Sequence, residues 1–294
     1  MTTLLCFGLG YSALHYVKLF GGSFERVIGT VRSREKAKTL AEKVAGRAVE
    51  VMVFDGKTGT PQLTNAIEQA DAIVTSIAPD DHGDPVLHAF AETIKSRSLQ
   101  SIVYLSTVGV YGNHNGGWLD EHAALRATSA RGKARIEAEA RWQQLGEQST
   151  LPVAILRLGG IYGPRRNALV NLKEGTAKRI VKRDQVFNRI HVADIAQAID
   201  AAIRRRTTGV FNVTDDEPTP PQDVIAFAAE LLGIPAPPEI PFDEAIKTMS
   251  PMARSFYGDN RRISNAKLKA KLGVTLRYPT YREGISGIYR DGVW

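Results

Sequence analysis

The 294 residues contain a single cysteine, Cys6. One thiol cannot close an internal disulfide, and no Cys/His cluster has the spacing of a structural zinc site, so neither staple is expected in this fold. Cys6 lies in a short apolar run and reads as a small core residue. No apolar run approaches the roughly 18 residues that a membrane span needs, and glycines interrupt the first one, at 4–7, almost at once. The opening residues also lack the basic segment and longer apolar stretch of a secretory leader, which makes the cytoplasm the expected compartment and a membrane partner unexpected.

What is present is ordinary globular material. Hydrophobic residues make up 43% of the chain and charged residues 23%, enough apolar surface for a full core. The net charge of +7 is unevenly spread: residues 157–191 hold nine Lys and Arg against Glu174 and Asp184, an excess equal to that of the whole chain. Such a segment suits an anion, although a solvated basic face is the plain alternative. It lacks the interleaved aromatics that stack nucleic-acid bases, so nucleic acid is not an expected partner and a small molecule is.

Short apolar runs alternate with longer amphipathic ones in the first half. Strands are predicted at 3–7, 26–31, 49–54, 72–77, 101–106 and 153–158, with helices at 11–20, 35–45, 62–69, 85–98 and 129–145. This βαβα rhythm predicts an α/β fold, a doubly wound parallel sheet of order 3-2-1-4-5-6 with a seventh strand at 210–213. After Gly163 and Pro164 the rhythm loosens into a basic helical stretch, a helix at 192–205, a proline-rich tract from Pro218 to Pro241, and helices near 221–232 and 265–272. The expected division is 1–164 for the dinucleotide-binding part and 165–294 for a smaller mixed lobe, with 186–214 returning to the sheet.

The first strand runs straight into Gly8, Leu9, Gly10, Tyr11, Ser12 and Ala13. In that setting G-x-G-x-x-A is a dinucleotide fingerprint: Gly8 permits the turn, Gly10 admits the diphosphate, Ala13 allows close packing, and the amides opening the helix hold the anion. The second strand ends at Arg32 and Ser33 with no acid to bind ribose hydroxyls. A guanidinium and a hydroxyl there suit a 2′-phosphate, so NADP is expected in preference to NAD. Asp55 is placed to accept from the adenine amino group, and Ser76 and Ala78 to run along the cofactor, unless they are ordinary loop residues.

Leu105 through Gly112, Leu156 through Pro164, Ile190 through Ala196, and Phe211 through Val213 together resemble the motifs of the extended or atypical branch of the short-chain dehydrogenase/reductase superfamily, the epimerase/dehydratase-like members. The resemblance implies that Thr107 binds the substrate oxygen and Lys133 holds the nicotinamide ribose. It also implies a tyrosine four residues before that lysine, as the proton donor. Here that position is Ser129, and no tyrosine lies between Tyr111 and Tyr162. Serine is shorter and a far poorer acid, so the family mechanism does not transfer intact.

Val108 and Gly109 replace the Asp-Glu pair of the sugar-nucleotide dehydratases, and Gly160 replaces an asparagine common in epimerases, which argues against a nucleotide sugar. The expected activity is an NADP-dependent oxidoreductase or epimerase acting on a small hydroxyl or carbonyl compound, with Arg165, Arg166 and His191 as candidate substrate contacts. A cofactor-binding regulator that has lost catalysis is the alternative. His191 also reads as a packed structural residue, and Asp194 as a cap for the helix that follows. The resemblance further implies a homodimer formed through two helices flanking the sheet.

Overall fold

Seven strands form one parallel sheet whose inner strands are buried on both faces, as helices on either side require, while the edge strand at 49–53 is only partly covered. The computed structural model describes residues 2–41 and 49–294. The strands are β1 (Thr3–Phe7), β2 (Arg26–Val31), β3 (Val49–Val53), β4 (Ala72–Thr75), β5 (Ser101–Thr107), β6 (Val153–Leu158) and β7 (Gly209–Val213). Their spatial order is β3-β2-β1-β4-β5-β6-β7, and every neighbouring pair is parallel. This is the predicted α/β order extended by the seventh strand.

Helices α1 (Tyr11–Phe20), α2 (Arg34–Ala41), α3 (Pro61–Glu68), α4 (Pro85–Lys95) and α5 (Ala130–Ser149) follow in turn. The predicted continuation of α2 to 45 lies outside the described residues. Two of these helices begin on a proline just after a capping side chain: Thr60 Oγ1 accepts from Leu63 N at 3.3 Å, and Asp84 Oδ1 from Val86 N and Leu87 N at 3.0 Å. Proline lacks the N–H that would be unpaired in that first turn, so the combination starts a helix sharply. Asp84 also accepts from Trp142 Nε1 at 3.1 Å, which ties α4 to α5.

The basic stretch is less helical than its composition predicts. It forms a short helix α6 (Ala168–Lys173) and a strand Arg179–Val181 that pairs with Glu239–Pro241. Helices α7 (Val192–Arg204) and α8 (Pro221–Leu232) follow. One core packs α1, α7 and the helix Ala266–Leu272 on one face of the sheet; another packs α3, α4 and α5 on the opposite face. Tyr162, Leu169, Val224, Ile225, Tyr281 and Ile285 form a separate packed cluster. No described helix is long and apolar enough to cross a membrane.

Candidate functional site

Because the strands are parallel, the residues that follow their carboxyl ends gather along one edge of the sheet. The order reverses at β1, which lies between β2 and β4, and that is where a doubly wound sheet opens a crevice. Gly8, Arg32, Asp55, Ser76 and Thr107 all stand on this edge.

Gly8 has φ +90°, a conformation that suits glycine, and an added Cβ would lie 2.9 Å from Ser76 Oγ and 3.0 Å from Ile77 Cγ1. Thr30 Oγ1 accepts from its N–H at 2.9 Å, and Ser76 Oγ donates to its carbonyl at 2.7 Å. Ser76 therefore holds the glycine turn from the neighbouring strand. At Gly10 an added Cβ would meet no protein atom within 4 Å. No side chain caps α1 and no acid lies in its first turn, so its opening amides face that open space as a positive helix end. Ser12 and Ala13 are buried. A dinucleotide diphosphate fits this cradle, which has neither a side chain in the way nor a negative charge to repel it.

Arg32 is exposed and has no ion pair or hydrogen bond among the described residues. Ser33 Oγ accepts from Lys36 N at 3.2 Å, capping the start of α2 and keeping its proton available to donate. Asp55 is exposed, and its Oδ1 accepts from Lys57 N at 2.9 Å. These backbone bonds hold its carboxyl below the usual carboxylate range, so it is an acceptor at neutral pH. Ala78 is exposed on the same edge.

Thr107 closes β5, and its Oγ1 accepts from Gly109 N at 3.0 Å. Ser129 is the cap of α5, accepting from Gly132 N at 3.1 Å, and Lys133 is exposed one turn on with no partner among the described residues. Hydrogen bonds link none of the three to another among the described residues. Nearby phenols are already engaged. Tyr111 is fully buried and donates to Asn212 Oδ1 at 2.7 Å, with burial pushing its pKa up against the pull of Arg157. Tyr162 donates to Thr280 O at 3.3 Å, and Tyr11 to Pro164 O at 2.9 Å.

Arg165 and Arg166 are exposed beside a cleft of about 490 Å³ in the lobe, and Arg166 lies over the Tyr11 ring at 5.7 Å. His191 does not line this cleft. It is 4% exposed, packed edge-on to Tyr162 at 5.2 Å and against Tyr278 at 4.1 Å. Its Nδ1 accepts from Ala193 N at 3.1 Å, so His191 caps α7 and the proton resides on Nε2, which has no partner among the described residues. The expectation that Asp194 caps this helix is corrected. Its carboxylate accepts from the backbone N–H groups of Arg277 at 2.6 Å and Tyr278 at 3.1 Å, fastening a distant segment over α7. Among the described residues no group of His, Cys, Asp and Glu could hold a metal ion.

Burial, with His15 and Arg277 nearby, pushes the His191 pKa down from 6.5 to about 3. The unfolded chain takes up this proton near pH 6.5 while the folded chain refuses it, so stability present at neutral pH is lost as pH falls from 6.5 towards 3. Asp194, pushed up to about 6 by burial, works in the opposite sense: its contribution favours the folded state at low pH and fades as pH rises through that value. The His191 shift is larger and sets the sign. His191→Asn keeps a capping side chain without the titration. It should recover about 2 to 3 kcal/mol of the stability that the parent loses between pH 7 and 4.5, read from urea unfolding at both pH values.

The NAD(P)H-binding family matches residues 10–206, and the chain belongs to it. A 3-diazoavenalumate denitrifying reductase from a Streptomyces species is 29% identical over 177 residues, covering 57% of this chain and 58% of the reductase. The chain spans less than two thirds of the length of the curated relatives it matches. A conserved protein of unknown function from Silicibacter pomeroyi is 42% identical with a TM-score of 0.87, each chain covered to 99%. The dTDP-glucose 4,6-dehydratase of Bacillus anthracis, solved with NAD, has a TM-score of 0.78 at 19% identity, covering 99% of this chain and 96% of that one; this likeness concerns the fold.

Proposed function

We propose that the chain is an NADP-dependent oxidoreductase or epimerase of the extended short-chain dehydrogenase type, acting on a small hydroxyl or carbonyl compound. The observation that carries this reading is the pairing of an uncapped, acid-free α1 behind Gly8 and Gly10 with an unpartnered Arg32 at the end of β2. A bound nicotinamide dinucleotide supplies two-electron exchange with a substrate carbon. The chain supplies the rest. The amides from Tyr11 to Ala13 hold the diphosphate, Arg32 and Ser33 the 2′-phosphate, Asp55 the adenine amino group, and Lys133 the ribose hydroxyls, with Ser76 and Ala78 beside the cofactor. Thr107 binds the reacting oxygen and Ser129 orders a proton relay to it. Residues 165–294 form the substrate side, where Arg165 and Arg166 meet an anionic group and His191 supports the wall through Tyr162. The 29% identical reductase supports the oxidoreductase class.

Arg32→Ala should weaken NADPH binding roughly ten- to a hundredfold, the effect of removing a charged hydrogen-bonding partner, and leave NADH binding unchanged. Titration calorimetry with both cofactors reads this directly. An unaltered NADPH:NADH ratio would refute the assignment.

A second reading is favoured by one observation: Tyr11, Tyr111 and Tyr162 all spend their hydroxyl protons on fixed acceptors, so none stands ready to replace the missing donor. On this reading the chain is a regulator that responds to NADPH without turnover. Turnover of any aldehyde, ketone or sugar derivative by the purified protein excludes it, whereas NADPH-dependent partner binding without turnover supports it.

A further inference from the structure

The cleft in the lobe has a wall of two characters. Val224, Ile225 and Ile285 form an apolar side, each no more than 9% exposed. Arg165, Arg166, Lys178 and Arg189 line the same cleft with four positive charges, against Glu174 alone among its lining residues. Among the described residues none of these four cations has a carboxylate within ion-pair distance.

Arg189 is the most deeply set. One of its terminal nitrogens donates to the carbonyls of Phe187 and Thr219, both at 3.0 Å, while its other nitrogens find no acceptor among the described residues. Burial pushes the Asp215 carboxyl well up while Arg189 pulls it down, and no ion pair joins the two among the described residues. Tyr281, also on the cleft, is 1% exposed, and its hydroxyl has no partner among the described residues. A buried phenol left unpaired is costly, and a half-buried guanidinium with N–H groups to spare on the same cleft matches an oxyanion.

The turn that carries the outer arginines points the same way. Gly163 and Arg166 exchange backbone hydrogen bonds at 3.0 Å, with Pro164 second in the turn and Arg165 third, at φ +63°. Glycine is favoured at such a third position, and an L-residue there costs about 1 to 2 kcal/mol. An arginine is thus held where the backbone prefers none. The same turn is fastened to the cofactor loop, since Tyr11 donates to Pro164 O and Arg166 covers its ring.

We infer that this cleft takes an organic acid with a single oxyanion head and an apolar body, the head held by Arg189 and Tyr281 with the arginine turn, the body against Val224, Ile225 and Ile285. The inference rests on the proposed assignment of the lobe as the substrate side. A nucleotide diphospho-sugar, with two phosphates and a polar sugar, would leave the apolar side unused.

Titration calorimetry with 3-phenylpropionate, its uncharged amide, phenyl phosphate and UDP-glucose tests this, each with and without NADPH. An acid should bind at least roughly tenfold more tightly than the amide, and the ratio of carboxylate to phosphate affinity tells which oxyanion is preferred. Arg189→Met should weaken the acid roughly ten- to a hundredfold and leave NADPH unchanged. Should that variant not fold, Tyr281→Phe, which removes one oxygen, should still weaken it several-fold. Arg165→Gly should raise the Tm while weakening the acid.

No binding of either acid at millimolar levels overturns the inference. So does equal affinity for acid and amide, acid binding unmoved by all folded variants, or UDP-glucose binding more tightly than both acids. If the acids bind as expected but NADPH does not bind at all, the cofactor reading fails and this one stands.

Discussion

Glu139→Ala should cost about 3 to 5 kcal/mol of unfolding free energy, a large part of the roughly 5 to 15 kcal/mol that holds a typical domain together. Glu139 on α5 and Arg157 on β6 have side chains only 2% and 5% exposed. Arg157 Nη2 reaches Glu139 Oε2 at 2.7 Å, and its Nε lies 3.1 to 3.2 Å from both carboxylate oxygens. Ser106 Oγ donates to Oε1 at 2.5 Å, so β5 joins the same group. Arg157 also donates to the Tyr111 hydroxyl at 2.9 Å, and Tyr111 passes the chain on to Asn212 of β7.

Removing the carboxylate leaves a guanidinium buried without its counter-charge, and that desolvation, more than the lost attraction, accounts for the penalty. The double variant Glu139→Met with Arg157→Met should therefore recover most of the loss. Guanidinium chloride unfolding of both single variants and the double variant measures the coupling. Single losses below about 1 kcal/mol would show that solvent reaches the pair. Because α5 also carries Ser129 and Lys133, the network fixes where the first turn of that helix meets the end of β5.

None of this network was visible in the sequence. Glu139 stands in a helix dense with charge, where a glutamate reads as solvated, and its partner follows 18 residues later on another element. The sheet was legible for the opposite reason. Parallel strands buried on both faces are continuous apolar runs, and each helix start at Thr60 or Asp84 is written in two adjacent residues. The phosphate loop is equally local, from Gly8 to Ala13.

Long-range contacts defeated local rules elsewhere. An aspartate in the first turn reads as a cap, yet Asp194 is drawn to the backbone of Arg277 and Tyr278, more than eighty positions away. The capping role falls to His191, a residue type with little preference for it. The acid-binding cleft shares this character: Arg165, Arg189, Val224 and Tyr281 come from four stretches of chain, and the local signal was only an excess of positive charge.

Gly29→Val should cost about 3 kcal/mol and lower NADPH affinity at least roughly tenfold, though residue 29 touches no expected cofactor position. Gly29 lies within β2, and Leu9, the middle residue of the glycine loop, is 1% exposed against it. A Cβ at residue 29 would stand 2.4 Å from both Cγ and Cδ1 of Leu9, well inside contact distance. Leu9 N also donates to Thr30 O at 2.8 Å, so the loop cannot lift without breaking a bond to β2. The clash must therefore push Gly8 and Gly10 out of place, carrying with them the opening amides of α1.

Leu9→Ala alone leaves a cavity and should cost about 2 to 3 kcal/mol with a smaller effect on binding. Combined with Gly29→Ala, it removes the colliding atoms, and the pair should lose less than the sum of its parts by about 1 to 3 kcal/mol. Urea unfolding and NADPH titration on the cycle separate the two effects. Additive losses would mean that loop and strand are not in register through Leu9. Recovery of binding in the double variant ties the cofactor cradle to a contact between a leucine and a missing side chain.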